Sequence, residues 1–229
     1  MPDYSRNDNK RRGILMMLLA CLFFSLMDSV MKKLAGHYPA IQVTAMRALT
    51  SMPLIIAYVL WRRALPGLWK VRWPLHLLRV GLGVVMLTSF AFAIKSLPLT
   101  EAYALFFVSP LFIATLSIPL LGERVHRASW IAIGCGMVGV LVVLKPTGAG
   151  IISLAGLAIL FSASCYALSA ITVRLLSRTD SSESMVFWLM LGVSLAATAA
   201  ALPGWRPVNP EHYWLLAGLA VTGFIGQLT

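Results

Sequence analysis

Charge is scarce in this chain: only 12% of its 229 residues are Asp, Glu, Lys or Arg, against 59% that are hydrophobic. With a mean hydropathy of +0.83, that balance excludes packing as an ordinary water-soluble domain. Cysteine is equally sparse. Cys21, Cys135 and Cys165 all fall inside apolar runs, an odd number without pairing logic, which excludes a disulfide framework and leaves them as packing residues. The four histidines, His37, His76, His126 and His212, lie at or near loops and share no metal-ligand spacing with each other or with cysteine. No nucleophile elbow, phosphate loop or H-E-x-x-H occurs, so the sequence offers no enzyme, no cofactor and no metal site. Long polar connections are also missing, and no soluble domain fits between the apolar runs.

What is present is a series of eight apolar stretches, near residues 13–35, 40–61, 73–95, 98–121, 126–145, 151–175, 184–203 and 211–229. A hydrocarbon core about 30 Å thick needs roughly 20 apolar residues per helix, so these are read as spans 1 to 8 of an all-α, polytopic membrane protein. Turn residues end them at Gly36 to Pro39, Pro66 to Gly67, Lys145 to Gly150 and Pro203 to Pro210. Lys10 to Arg12 before an apolar run also fits a secretory leader. Asp28, Lys32 and Lys33 follow without a small-residue cleavage site, and seven more stretches come after, so the run is read as span 1.

The formal net charge of +11 is explained by position rather than by a nucleic-acid partner. Arg6, Lys10, Arg11, Arg12, Arg62, Arg63, Lys70, Arg72, Arg124, Arg127, Arg174 and Arg178 fall on one side of the spans. Lys32, Lys33, Lys95, Lys145 and Arg206 fall on the other. The positive-inside rule then puts residues 1–12 in the cytoplasm as an N-terminal tail, in a bacterial-type inner membrane.

The later stretches lie at a constant offset of 142 residues from the first three and the loops between them. Phe24 falls on Tyr166, Lys32 on Arg174 and Gly81 on Gly223. This divides the chain into a five-span repeat at 13–146 and a second at 151–229. An odd number of spans per copy inverts the second, the architecture of alternating-access transporters. Thr229 falls on Leu87, in mid-span, so the second repeat is read as incomplete, with about eight of ten expected spans present.

A charge within a span costs roughly 2.5 to 3.5 kcal/mol unless it finds a partner or water. Asp28 and Arg47 both fall about 10 Å below the far end of their spans, where they can meet as an ion pair or form the polar wall of a substrate cavity, with Asp28 or Glu101 taking up a proton. Arg79 is shallow enough to snorkel to the headgroups, or to serve the cavity. Pro110 in mid-span 4 removes a backbone donor and is expected to kink the helix beside Ser109. Phe24, Tyr103, Tyr166 and Trp188 sit well inside spans, as core packing or as walls for a planar ligand. Gly134, Gly136 and Gly139 spell G-x-G-x-x-G inside an apolar run, which lacks the preceding strand of a dinucleotide site. Close helix packing is expected there and at Gly81 and Gly83.

Ser96-Leu97-Pro98-Leu99-Thr100-Glu101-Ala102, then Ser109-Pro110-Leu111-Phe112, then Leu121-Gly122-Glu123-Arg124 resembles the fourth span and following loop of the EamA-type drug/metabolite transporters, and the likeness continues from Gly134 to Pro146. It covers essentially the whole chain, strongly in the first repeat and weakly in the second. The resemblance implies ten helices around a central cavity with both termini cytoplasmic, and a role for Glu123 in ordering the helix end. Met27-Asp28-Ser29-Val30-Met31-Lys32-Lys33, Arg47 and His76-Leu77-Leu78-Arg79 look most like the branch that includes S-adenosylmethionine and riboflavin transporters.

The expectation is therefore a carrier of a small metabolite, with S-adenosylmethionine, riboflavin or an amino-acid-like compound as candidate cargo, embedded in the bilayer, with a homodimer left open. Its cavity would be bordered by spans 1, 3, 4, 6 and 8. Asp28, Arg47 and Glu101 would set the charge, Phe24, Tyr103 and Tyr166 the apolar walls, with Arg79, Ser109 and Trp188 completing the candidate set. The alternatives are a non-transporting membrane scaffold and an inactive truncated fragment.

Overall fold

The computed structural model describes residues 4–69, 71–122, 126–144 and 153–228. Lys70, Glu123, Arg124 and Lys145 to Gly150, named above for orientation, loop order and turns, lie outside the described residues. The described residues form nine α-helices: α1 Tyr4–Ala35, α2 Ala40–Trp61, α3 Trp73–Ser96, α4 Leu99–Phe106, α5 Ser109–Leu121, α6 Arg127–Leu144, α7 Leu154–Leu176, α8 Ser182–Ala201 and α9 Tyr213–Leu228. Six stretches are long and apolar enough to cross a bilayer, one of them α4 and α5 taken together. The protein is a multi-pass integral membrane protein. The other two expected spans correspond to α6 and α9, of 18 and 16 residues.

Local chemistry sets the helix ends. Ser153 and Ser181 cap α7 and α8 by accepting from the Gly156 and Ser184 amides. Span 4 is interrupted where Pro110 was expected to disturb it: α4 stops at Phe106, Phe107 and Val108 form a turn, and α5 begins at Ser109. Proline at the start of α5 lacks the N–H that would have bonded the preceding turn, and its ring crowds that carbonyl. Gly122, with φ of 66°, closes α5 in the left-handed conformation.

We call the side where α1 begins the near face and the side where it ends the far face. Helix packing is paired. α2 crosses α8, α3 lies on α7 as α1 lies on α9, and α3 touches α8 as α9 touches α2. Exchanging α1 with α7, α2 with α8 and α3 with α9 maps these contacts onto themselves. Apolar clusters close both ends of the bundle: Met27, Met31, Leu34, Ile94, Ile159 and Leu219 toward the far face, and Met52, Ile55, Val59, Leu68 and Met190 toward the near face. α6 packs mainly on α4, and the space beside Gly81, Gly134, Gly136 and Gly139 is open. The close packing expected at those four glycines is absent among the described residues. It holds at Gly83, where an added Cβ would meet Leu189 and Val193 of α8 at 3.2 and 3.3 Å.

Candidate functional site

Between the two apolar clusters the bundle holds two adjoining, partly open chambers. The far one, about 270 Å³, is lined by Phe24, Asp28, Arg47, Tyr103, Ser162 and Tyr166 among others. The near one, about 530 Å³, includes Arg79, Gly83, Ser169, Arg174, Val193 and Gly226. Phe24, Arg47, Met86, Leu87 and Tyr166 line both, so the chambers share a wall. The lining comes from α1, α2, α3, α4, α7, α8 and α9; among the described residues, α5 and α6 contribute none to it.

Asp28, 9% exposed, accepts a 2.8 Å hydrogen bond from the Tyr103 hydroxyl. Arg47 reaches Met31 Sδ at 3.8 Å, a weak acceptor, and its Nε is buried without a partner. The ion pair anticipated between Asp28 and Arg47 is not closed: both side chains face the far chamber, yet among the described residues no contact within 4.0 Å joins them. Asp28 is held by Tyr103 of α4 and Arg47 by Met31 of α1. Arg79 Nη1 donates to the Met185 carbonyl of α8 at 2.9 Å, and its Nε is buried without a partner. Phe90, Phe106, Tyr103 and Tyr166 form a connected aromatic wall, with ring centroids 5.4 to 6.4 Å apart.

Trp188 is not brought to this cavity. Its indole N–H needs an acceptor when buried, and it finds the Leu68 carbonyl at 2.7 Å in the turn before α3, with Trp69 and Trp73 packed edge-on. Glu101 in the first turn of α4 and buried Ser109 at the α4–α5 break line neither chamber. Sequence reasoning missed Met86, Phe90, Phe106, Ser162 and Ser169, ordinary span residues that carry no signal of their own. It read Arg174 only as an orientation charge.

The faces are closed by polar contacts between loops. At the near face, Asp180 accepts from the Thr179 hydroxyl at 2.6 Å, from His76 Nε2 at 2.8 Å and from the Arg72 amide at 3.3 Å. Burial pushes this carboxyl upward, but those hydrogen bonds hold it below its ordinary value of 3.8. At the far face, the Tyr38 hydroxyl bonds His212 Nδ1 at 2.8 Å and accepts from the Asn209 amide at 3.0 Å, while Gln42 exchanges two hydrogen bonds with the Arg206 backbone. The helix exchange described above relates these two sets: the α1–α2 link meets the α8–α9 link at one face, as the α7–α8 link meets the α2–α3 connection at the other. Among the described residues, no cluster of three His, Cys, Asp or Glu could hold a metal.

A family model described as the EamA-like transporter family matches residues 11–145. The chain belongs to the EamA-like transporter family. It is a membrane transporter of the drug/metabolite transporter superfamily. Among its relatives are the pseudopaline exporter CntI of Pseudomonas aeruginosa, 29% identical over 226 residues covering 96% of this chain and 78% of that protein. The riboflavin transporter of Vibrio cholerae is 30% identical over 208 residues, covering 90% and 70%. The S-adenosylmethionine uptake transporter of Rickettsia prowazekii is 26% identical over 218 residues, covering 94% and 71%. A chain of known crystal structure matches with a TM-score of 0.65 at 22% identity, covering 93% of this chain and 77% of that one, a likeness of fold.

Proposed function

We propose that this transporter carries a small polar metabolite through the central cavity by alternating access, in a bacterial-type inner membrane with its near face cytoplasmic. The observation that carries the reading is a cavity in mid-bundle with a carboxylate, two partly buried arginines whose Nε atoms are buried, and an aromatic wall, with an apolar cluster toward each face. Ionisable groups inside a membrane are costly, and a cargo or water pathway is their usual reason. The paired helix packing supports an inverted repeat, and the related loop contacts at the two faces are the parts that would open in turn. The concentration of cations at the near face supports the orientation. The names of the relatives support cargo of metabolite size; riboflavin and S-adenosylmethionine are the compounds to try first.

A membrane scaffold would pair off its buried polar groups and exclude water. Single cysteines at Ser162 and Ser169, in a background lacking the three native cysteines, test this with a membrane-impermeant thiol reagent. A carrier reacts at each from at least one face, and the reaction slows when cargo is present. Absence of reaction at both positions from both faces, together with no uptake or efflux in vesicles, refutes the proposal.

A further inference from the structure

Among the described residues, Arg47 and Arg79 are the charged groups that leave a buried N–H without a partner. A guanidinium carries five N–H donors and cannot be neutralised by losing a proton. Arg47 makes one weak contact to a thioether, Arg79 one bond to a backbone carbonyl, and both leave a buried Nε–H without an acceptor. A buried donor left without an acceptor loses its hydration and gains nothing in return. Asp28 lies near enough to attract Arg47 across the far chamber, but no hydrogen bond between the two appears among the described residues, and its carboxylate is engaged by Tyr103. Arg47 and Arg79 line the same near chamber, and among the described residues Asp28 is the one carboxylate lining either chamber.

We infer that the cargo bears an oxyanion, a carboxylate or phosphate, that docks on the guanidiniums of Arg47 and Arg79, with the rest of the molecule against the aromatic wall and its hydrogen-bond donors toward Asp28. This rests on the proposal that the cavity is the cargo site, and it narrows the cargo to one chemical class. Planar guanidinium forks match carboxylate and phosphate oxygens two at a time. S-adenosylmethionine, with its carboxylate, meets the requirement; riboflavin, which has no ionised acid at neutral pH, does not.

The test is equilibrium dialysis of the detergent-purified protein against a small-molecule extract of its host cells, with enriched compounds and lipids identified by mass spectrometry. Wild type should enrich compounds carrying a carboxylate or phosphate, and the mass assigns which. That enrichment should fall about ten- to a hundredfold in Arg47→Gln and in Arg79→Gln, and less in Arg47→Lys, which keeps the charge without the fork. Two independent sites keep the test decisive if one variant fails to fold, as judged by circular dichroism. Enrichment of neutral compounds, or of anions indifferent to both substitutions, overturns the inference while leaving the cavity as the cargo site. Enrichment of an anionic phospholipid alone overturns it in favour of a lipid headgroup. No enrichment of any compound overturns the inference and the cargo-site proposal together.

Discussion

Gly192 is where the bundle has no room for a side chain. A Cβ built there would lie 2.8 Å from Val80 Cγ1, closer still to Cγ2, and 3.1 Å from Cβ itself, whereas ordinary contact begins at 3.4 Å. Val80 is β-branched and stiff at χ1, so it cannot swing aside, and α3 and α8 would have to part. Gly83, Leu189 and Val193 of the same two helices line the near chamber, so the movement opens the cavity wall. Overpacking of this kind costs about 1 to 3 kcal/mol, and small residues are what allow membrane helices to approach. Gly192→Ala should therefore lower the thermal midpoint in detergent, followed by tryptophan fluorescence, by an amount of that order. Combining it with Val80→Ala removes both clashing methyls and leaves only the 3.1 Å approach. The double variant should recover at least half of the loss, a coupling that independent sites would not show. If Gly192→Ala melts with wild type, or Val80→Ala makes it worse, the close crossing of α3 and α8 is not as described.

Asp180→Asn should destabilise the near face by about 1.5 to 3 kcal/mol, the worth of hydrogen bonds to a charged acceptor. Because folding depresses this carboxyl below 3.8, its ionised form is favoured in the folded state. Its contribution is full above that ordinary value and fades as pH falls through the lower folded one. Melts between about pH 5 and about pH 3 should show that acid-linked loss in wild type and a smaller loss in the asparagine variant; equal slopes would contradict the assignment. Tyr38→Phe leaves the Asn209 amide without its acceptor and should speed deuterium exchange across residues 206–212, with near-face exchange unchanged. Tyr103→Phe keeps the ring contact to Phe90 but removes the donor to Asp28. A loss of about 1.5 to 3 kcal/mol is expected in the same melts, and an unchanged midpoint would mean that water replaces the hydroxyl.

Much of the architecture was legible along the chain because the bilayer imposes it. Span length follows from hydrocarbon thickness, and the break in span 4 from the missing donor of Pro110. The match in depth between Asp28 and Arg47 could also be counted residue by residue, and both do line the far chamber. What could not be counted is the rotation of each helix about its own axis. In water an apolar stripe announces the buried face, but in lipid the outward face is as apolar as the inward one. Leu157 and Phe161 of α7 face outward while Ile159 and Ala163 are buried, with no difference in residue class to tell them apart.

That rotation is what separated Trp188 from the cavity, turned Arg79 inward to Met185, and left Gly134, Gly136 and Gly139 beside open space. It also joined His76 to Asp180, 104 residues away in sequence. The sequence by itself determined the membrane solvent, the order and ends of the spans, the family motifs and the depth of each buried charge, because those depend on composition and one-dimensional distance. Tertiary structure alone decided which charges share a cavity, which remain unpaired and which loops close the two faces, because a side chain's partner is set by how neighbouring helices turn toward one another.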